Sequence, residues 1–123
     1  MCNFHAKTIY EMPIMKNLDF AWRQDDDSYI HSQITYDVFA FMSKNNITYA
    51  YRSIHNDSPI CVAGLWNLVK SYIHLNNINA TFFNSWKENQ IYFNNFEISA
   101  MKLWKSKEYR DYIKYIDMLG EIA

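Results

Sequence analysis

The feature that most constrains this chain is a short alternating segment that ends in three consecutive carboxylates. Over residues 18–23, apolar side chains occupy every second position, which is the pattern of a β-strand. Asp25, Asp26 and Asp27 follow at the point where that strand would leave a sheet. Two carboxylates separated by one residue can both reach a hard divalent cation, and such a cation can hold a diphosphate. A nucleotide-sugar site and a solvated acidic turn are both compatible with this triplet.

Composition sets the size and class of the protein. Half of the 123 residues are hydrophobic and 18% are aromatic, so we expect one modest folded domain. The formal net charge is -1 and the Lys and Arg residues are scattered, so no nucleic-acid partner is predicted. Two cysteines, Cys2 and Cys61, are too few for a disulfide framework, and no Cys/His spacing predicts zinc.

The sequence also lacks the usual signs of membrane insertion. No apolar run approaches the ~20 residues that a transmembrane helix requires. Residues 1–7 do not have the pattern of a signal peptide. We therefore expect no membrane span, signal or anchor in these 123 residues, and a soluble cytoplasmic location stays open on the residues alone.

Helical periodicity and β-branched runs predict an alternation of helices and strands. The predicted helices cover residues 1–16 (interrupted by Pro13), 36–44, 60–75, 96–104 and 106–119, with Ser106 as the cap of the last and Gly120 as its stop. The predicted strands cover residues 18–23, 47–54 and 91–93, with a loop at 55–59. This alternation predicts the α/β class, with helices covering a small sheet.

Two gapless blocks carry a resemblance to a known family, the fungal α-1,2-mannosyltransferases of glycosyltransferase family 15. In the first 28 residues, the chain resembles the family at Met1, Cys2, Phe4, Tyr10, Pro13, Asn17, Asp19, Trp22, Arg23 and Asp27. The family's Glu-Pro-Asp motif then falls on Asp25-Asp26-Asp27. The second block matches at Asn95-Phe96-Glu97-Ile98, Leu103-Trp104-Lys105-Ser106, Tyr109, Tyr115, Asp117 and Gly120.

This resemblance implies the central part of a type A glycosyltransferase fold, with an incomplete sheet and covering helices. It also implies binding of GDP-mannose with Mn²⁺. The implied reaction is transfer of mannose, with retention of anomeric configuration, to a mannosyl acceptor on a glycoprotein or glycolipid. Relatives of this kind are Golgi enzymes anchored in the membrane, so the resemblance implies the secretory pathway.

The resemblance also implies roles for individual residues. Asp25 and Asp27 would contact the metal, and Asp25 would also contact the diphosphate. Arg23 could bind phosphate through its planar guanidinium, or pair with a neighbouring carboxylate, and we favour the local ion pair. Glu97 would lie beside the sugar as nucleophile or as stabiliser of an oxocarbenium ion. The alternative for Glu97 is an acid in the first turn of the helix predicted over 96–104, where the helix dipole favours it.

We predict structural roles, rather than roles in a site, for the other aromatic residues and for the histidines. Trp22, Trp66, Trp104 and the many tyrosines could form a sugar-stacking surface, but their helical spacing is more typical of core residues, and we predict that they lie in the core. The four histidines show no ligand spacing, so surface positions are expected for them.

The resemblance finally implies that residues 1–123 form a partial glycosyltransferase domain. The nucleotide-binding N-terminal part and a metal-binding histidine segment of the family have no counterpart in these residues. A truncated or inactive mannosyltransferase is therefore one expectation. The alternative is a non-catalytic interaction module that pairs with a homologous full-length chain.

Overall fold

The computed structural model describes residues 4–119, which form two small antiparallel sheets covered by helices. The strands are β1 (Phe20–Gln24), β2 (Tyr49–Tyr51), β3 (Ile54–Asn56), β4 (Gln90–Tyr92) and β5 (Phe96–Ala100). The larger sheet has the order β1-β5-β2, and the smaller sheet pairs β3 with β4. The predicted α/β class, a small sheet with covering helices, is confirmed.

The helices are short and lie before, between and after the strands. They are α1 (Ile9–Glu11), α2 (Val38–Lys44), α3 (Leu65–Leu75), α4 (Met101–Lys105) and α5 (Lys107–Met118). A wider π-helical turn, Phe4–Thr8, leads into α1, and 3-10 turns cover Pro13–Met15 and Phe83–Ser85. No helix of residues 4–119 is long and apolar enough to cross a membrane.

Strand β5 is the centre of the larger sheet because both of its edges are paired. Arg23 of β1 lies opposite Glu97, and Tyr51 of β2 lies opposite Glu97 from the other side. Residues 97–101 are all buried, and this is the longest buried run among the described residues. The sheet therefore buries Glu97 almost completely.

Successive side chains of the larger sheet point to opposite faces. On one face, Phe20 and Trp22 pack against Phe39 of α2, with ring centroids 5.8 and 6.3 Å apart. On the other face, the indole N–H of Trp104 donates to Ser99 Oγ at 2.8 Å. The buried apolar residues are Met42, Ile98, Ala100, Met101, Ile113 and Ile116.

Several predicted elements are confirmed within a few residues. The strand before the Asp triplet, the helix before Asn45 and the C-terminal helix all form. Asn46 takes the left-handed conformation (φ 53°) that ends α2. Ser106 caps α5, because its Oγ accepts a hydrogen bond from the backbone N–H of Tyr109 at 3.2 Å. The predicted stop at Gly120 lies outside the described residues.

Other predicted boundaries are wrong. Residues 96–100 form a strand rather than the start of a helix, and the helix that follows begins at Met101. The strand predicted over 47–54 is split into β2 and β3, and β3 extends into the predicted loop. The helix predicted from residue 60 begins only at Leu65, after Gly64 in a left-handed conformation (φ 81°). The apolar spacing of the helix predicted over 106–119 also predicts that Leu119 is buried, but Leu119 is 50% exposed.

Candidate functional site

An open cavity of about 390 Å³ lies over the centre of the larger sheet, beside Glu97. We call it the Glu97 cavity. It combines one carboxylate and one guanidinium with several aromatic and hydroxyl groups, and its lining residues are His5, Ala6, Tyr10, Arg23, Tyr49, Asn94, Glu97, Trp104 and Tyr109. The N-terminal helical segment, α4 and α5 thus close over the face of the sheet that carries Glu97.

Glu97 is the buried carboxylate of this cavity. Only 5% of the residue is exposed. The hydroxyl of Tyr49 donates a hydrogen bond to Glu97 Oε2. A buried carboxylate needs hydrogen-bond donors or a nearby cation to offset the loss of hydration. Tyr49 supplies the donor, and Arg23, opposite Glu97 in the β1–β5 ladder, brings a cation to the same cavity. Because Glu97 lies in a strand, the alternative of an acid in a helical first turn is wrong.

Arg23 makes the local ion pair that the sequence favoured. Its Nε and Nη2 both bind Asp25 Oδ1, at 3.2 and 3.1 Å. Both side chains are about 30% exposed, so this pair lies at the mouth of the site rather than in the core. The backbone also fixes Asp25, since its N–H donates to the carbonyl of Asn95 at 2.9 Å, just before β5. Arg23 therefore links the Asp triplet to the cavity that contains Glu97.

The rest of the Asp triplet forms a turn on the surface. The N–H of Ser28 donates to the carbonyl of Asp25 at 3.0 Å, and Gln24 Nε2 donates to the carbonyl of Ser28 at 2.7 Å. The side chains of Asp26 and Asp27 are exposed. The lining of the Glu97 cavity includes Arg23 but neither Asp25 nor Asp27.

Three tyrosines around the cavity are held in their neutral form. Burial, and second the negative charge of Glu97, raise the pKa of Tyr10 from 10.0 to about 12. Burial and then the hydrogen bond to Glu97 raise the pKa of Tyr49 well above its ordinary value. Burial raises the pKa of Tyr109 as well, with a smaller contribution from Glu97. Of these hydroxyl groups, that of Tyr49 donates to Glu97 and that of Tyr109 donates to the carbonyl of Ala6.

Several residues of this cavity were not predicted as site residues. Tyr10 stacks on Trp104, with ring centroids 4.2 Å apart and planes 7° from parallel. Trp104, predicted to be a core residue, is only half-buried and lies on the cavity wall, and His5 lines the same cavity. The sequence did point to Tyr10, because this residue is shared with the family in the first block. Nothing in the local sequence marked Tyr49 as a site residue, apart from its place in a predicted strand.

The Asp triplet has suitable chemistry for a metal but does not complete a metal site with its neighbours. Carboxylate oxygens are the ligands that Mn²⁺ and Mg²⁺ prefer. Among residues 4–119, however, no group of three or more His, Cys, Asp or Glu residues is arranged to hold a metal ion. Asp25 Oδ1 is also engaged by Arg23. The described residues thus offer two or three carboxylates of the right type, and other ligands would have to complete the coordination.

The small α/β sheet, with a carboxylate cavity beside an acidic turn, has the architecture of the central part of a type A glycosyltransferase fold. The sequence matches the glycolipid 2-alpha-mannosyltransferase family over residues 1–123, and the chain belongs to that family. This confirms the resemblance drawn from the two gapless blocks.

Individual relatives agree with this assignment. The chain is 33% identical to the alpha-1,2 mannosyltransferase KTR1 of Saccharomyces cerevisiae, over 98% of this chain and 33% of that protein. It is 28% identical to the O-glycoside alpha-1,2-mannosyltransferase omh1 of Schizosaccharomyces pombe, over 98% of this chain and 33% of that protein. The chain therefore spans about a third of the length of these curated relatives.

Solved structures show the same fold. The mannosyltransferase Ktr4p from Saccharomyces cerevisiae, solved in complex with GDP, superposes with a TM-score of 0.88 at 25% identity. This match covers 99% of this chain and 36% of Ktr4p. Core-mannan synthase A from Aspergillus fumigatus, solved in its Mn/GDP form, gives a TM-score of 0.87 at 24% identity, over 99% of this chain and 38% of the other.

Proposed function

We propose that this polypeptide acts in the transfer of mannose from GDP-mannose to a mannosyl acceptor on a glycoprotein or glycolipid, with an α-1,2 linkage and retention of configuration. One observation carries the proposal. Glu97 is a buried carboxylate, hydrogen-bonded by Tyr49, in a cavity of about 390 Å³. It is also the residue that the family resemblance assigns to the sugar. Membership of the family, and the GDP complex of the yeast relative Ktr4p, support the donor.

In this proposal Glu97 acts on the anomeric carbon of the mannose. A buried carboxylate interacts strongly with positive charge that develops on the sugar. It can also attack that carbon as the bond to GDP breaks, and the acceptor hydroxyl then loses its proton and displaces Glu97, so that two inversions give retention. The cavity is large enough for a single sugar ring, since pockets for small ligands begin at about 300 Å³. The hydroxyl of Tyr49 donates to Glu97, and the hydroxyl of Tyr10 can donate to the sugar.

The Asp triplet serves the nucleotide side of the proposed site. Asp25 and Asp27 would supply oxygen ligands to Mn²⁺, and Arg23 with Asp25 would contact the diphosphate. Bound Mn²⁺ would offset the negative charge that develops on the leaving GDP. Arg23 contributes a fixed positive charge at the mouth of the Glu97 cavity.

Two wider expectations stay predictions. By family, we propose the Golgi or secretory pathway as the site of action, with anchoring supplied from outside residues 4–119, whose helices cannot span a membrane. The assignment of residues 1–123 as a partial domain is likewise a prediction.

The proposal is tested by incubating the 123-residue chain with labelled GDP-mannose, Mn²⁺ and methyl α-mannoside, and analysing the product by mass and linkage. We expect an α-1,2-linked dimannoside. Glu97→Gln should abolish it because the attacking charge is lost. Asp25→Asn combined with Asp27→Asn should abolish it because the metal is lost.

The matched control is Asp26→Asn, which removes a carboxylate from the same turn at the position where the family has proline. It should retain transfer. Transfer that survives the double substitution at Asp25 and Asp27 would overturn the role of the triplet, and transfer that survives Glu97→Gln would overturn the role of Glu97. Absence of any product from the wild-type chain would count against catalysis by these 123 residues alone.

A second candidate function is a non-catalytic module that pairs with a homologous chain. The observation that favours it is the unusual exposure of large apolar side chains. Ile60 is 88% exposed, Met118 86% and Tyr29 78%. Strands β1 and β2 also pair on one side only among the described residues, and open strand edges are sites for pairing with another chain.

This second function predicts a complex on co-expression with a full-length relative such as KTR1. It also predicts no heat of binding when GDP-mannose is titrated into the isolated chain. A monodisperse monomer that binds GDP-mannose by calorimetry would contradict it.

A further inference from the structure

Tyr49 reaches Glu97 diagonally across the β2–β5 pair. In the register of these strands, Tyr51 lies directly opposite Glu97, and Tyr49 lies opposite Ser99. Side chains two residues apart on a strand share a face, so Tyr49, Tyr51, Glu97 and Ser99 all point to the same side of the sheet. Tyr51 is 39% exposed, whereas the Tyr49 hydroxyl turns inward and donates to Glu97 Oε2.

We infer that Tyr49 is a positioning residue for Glu97, whose carboxylate it holds by Oε2 so that Oε1 is the oxygen available to the ligand of the cavity. The inference rests on the proposed function in one respect, namely that Glu97 acts on the sugar. Among the described residues, the Tyr49 hydroxyl is the only hydrogen-bond donor to this carboxylate. Without it, both oxygens would be free to exchange places by rotation of the side chain.

The ring of Tyr49 is fixed by its neighbours, so its hydroxyl has a defined position. Its centroid lies 5.5 Å from that of Tyr92, 6.2 Å from Tyr51 and 6.4 Å from Trp104. These contacts come from β4, β2 and α4, which are three different elements. Packing of this kind restricts both torsions of a tyrosine, and a restricted donor orients its acceptor at little entropic cost.

The other charged or titratable groups around the Glu97 cavity do not replace this contact. The guanidinium of Arg23 is bound to Asp25, and the hydroxyl of Tyr109 donates to the carbonyl of Ala6 at 2.7 Å. The remaining titratable groups in the lining are Tyr10 and His5. A simple structural alternative remains, in which the bond only satisfies a buried polar group and the orientation of Glu97 is set by packing.

The deciding experiment measures the conformation of Glu97 itself by NMR of the chain labelled with ¹³C-glutamate. We expect one set of side-chain rotamers in the wild type. In Tyr49→Phe the ring is kept and the hydroxyl is lost, so we expect averaging of the Glu97 side chain in a chain that stays folded. Tyr51→Phe is the matched control, because it removes the neighbouring hydroxyl on the same strand, and it should leave Glu97 ordered. A single Glu97 conformation in Tyr49→Phe would overturn the inference.

The reciprocal variant tests the same bond even if Tyr49→Phe does not fold. Glu97→Gln removes the charged acceptor, so the pKa of Tyr49, followed by NMR of ¹³C-tyrosine, should fall toward 10.0. An unchanged pKa of Tyr49 in Glu97→Gln would contradict the contact.

Transfer assays then connect positioning with catalysis. If the wild-type chain transfers mannose, Tyr49→Phe should lower kcat by about tenfold to a hundredfold, with KM for GDP-mannose within about twofold, because misplaced catalytic groups cost rate more than binding. An unchanged kcat would overturn the catalytic part of the inference. If the wild-type chain transfers nothing, the proposed function fails, while the NMR comparison still decides whether Tyr49 positions Glu97.

Discussion

At the scale of single residues, a chain of three side chains supports one wall of the Glu97 cavity. Ser99 is 2% exposed and accepts the indole N–H of Trp104 at 2.8 Å. Trp104 in turn stacks on Tyr10. The central strand thus fixes Tyr10 of the N-terminal segment through one hydrogen bond and one stacked pair of rings.

We predict that Ser99→Ala lowers the free energy of unfolding by about 1–3 kcal/mol, because it leaves a half-buried indole N–H without its acceptor. Urea denaturation measures this change. Ser85→Ala, at an exposed serine whose hydroxyl donates to the carbonyl of Phe82, should cost much less. A Ser99→Ala variant as stable as the wild type would show that the indole finds another acceptor.

The raised pKa of Tyr10 predicts a loss of stability in alkali. Its pKa is about 12 in the folded chain against 10.0 ordinarily, so between these values the unfolded chain releases a proton that the folded chain retains. The stabilisation is complete below pH 10 and is lost as the pH rises toward 12. The pKa of Tyr112 is also raised to about 12, first by burial and then by the nearby Tyr72, so this residue acts in the same direction.

Denaturation curves at several values of pH between 9 and 12 test whether the free energy of unfolding falls as the pH rises. Tyr10→Phe should make the decline with pH shallower, since the titrating group is removed. Tyr29→Phe, at a side chain 78% exposed, is the control and should leave the slope as it is. A stability that rises over this range would contradict the assignment.

The site could be predicted only in part from its residues. The ion pair of Arg23 with Asp25 joins neighbours in sequence, and a local pattern is enough to predict it. The contact of Glu97 with Tyr49 joins residues 48 positions apart. It depends on which strands pair and in which register, and nothing within a few residues of Glu97 encodes that pairing. Family resemblance assigned Glu97 to the sugar, whereas it gave Tyr10 and Tyr109 only as matching positions and did not include Tyr49.

At the scale of elements, the error over residues 96–104 has a definite cause. Strand β5 passes directly into α4 without glycine, proline or a side-chain cap, since Ala100 occupies the N-cap position of α4. An apolar run of this kind does not reveal whether it is a buried strand or a buried helix. Residues 96–100 form a strand because they pair with β1 and β2, and the residues of those two strands lie far away in the sequence.

The boundary between α4 and α5 was predictable because Ser106 carries the signal itself. Its Oγ accepts from the N–H of Tyr109 at 3.2 Å and donates to the carbonyl of Leu103 at 2.7 Å. It therefore satisfies a free donor of one helix and an acceptor near the end of the other. This boundary also fixes the angle at which α5 brings Tyr109 to the Glu97 cavity.

We predict that Ser106→Ala lowers the free energy of unfolding by about 1 kcal/mol, the usual cost of losing an N-cap. Ser106→Asp should restore most of this loss, because a carboxylate also accepts at the first turn and interacts well with the helix dipole. Urea denaturation measures both variants. A carboxylate cannot donate the hydrogen bond that Ser106 makes to the carbonyl of Leu103. Equal losses of stability in Ser106→Ala and Ser106→Asp would therefore show that this bond matters more than the cap.

At the scale of the whole molecule, many large apolar side chains are exposed and the buried core is small. Six apolar residues are buried among the described residues, while Ile14, Leu75 and Phe82 are each at least 70% exposed. We therefore expect a free energy of unfolding of about 5 kcal/mol or less, at the lower end for natural domains. In such a protein, bound ligands contribute a large share of the stability of the folded state.

This low stability makes ligand binding measurable without any catalysis. A ligand that binds only the folded chain at 100 times its Kd adds about 2.7 kcal/mol to the free energy of unfolding. GDP with Mn²⁺ should therefore raise the urea midpoint of the wild type. Asp25→Asn with Asp27→Asn should abolish the rise, and Glu97→Gln should preserve it, because GDP carries no sugar to reach Glu97. A rise that depends on Glu97 but not on the triplet would reverse the roles assigned to the two halves of the site.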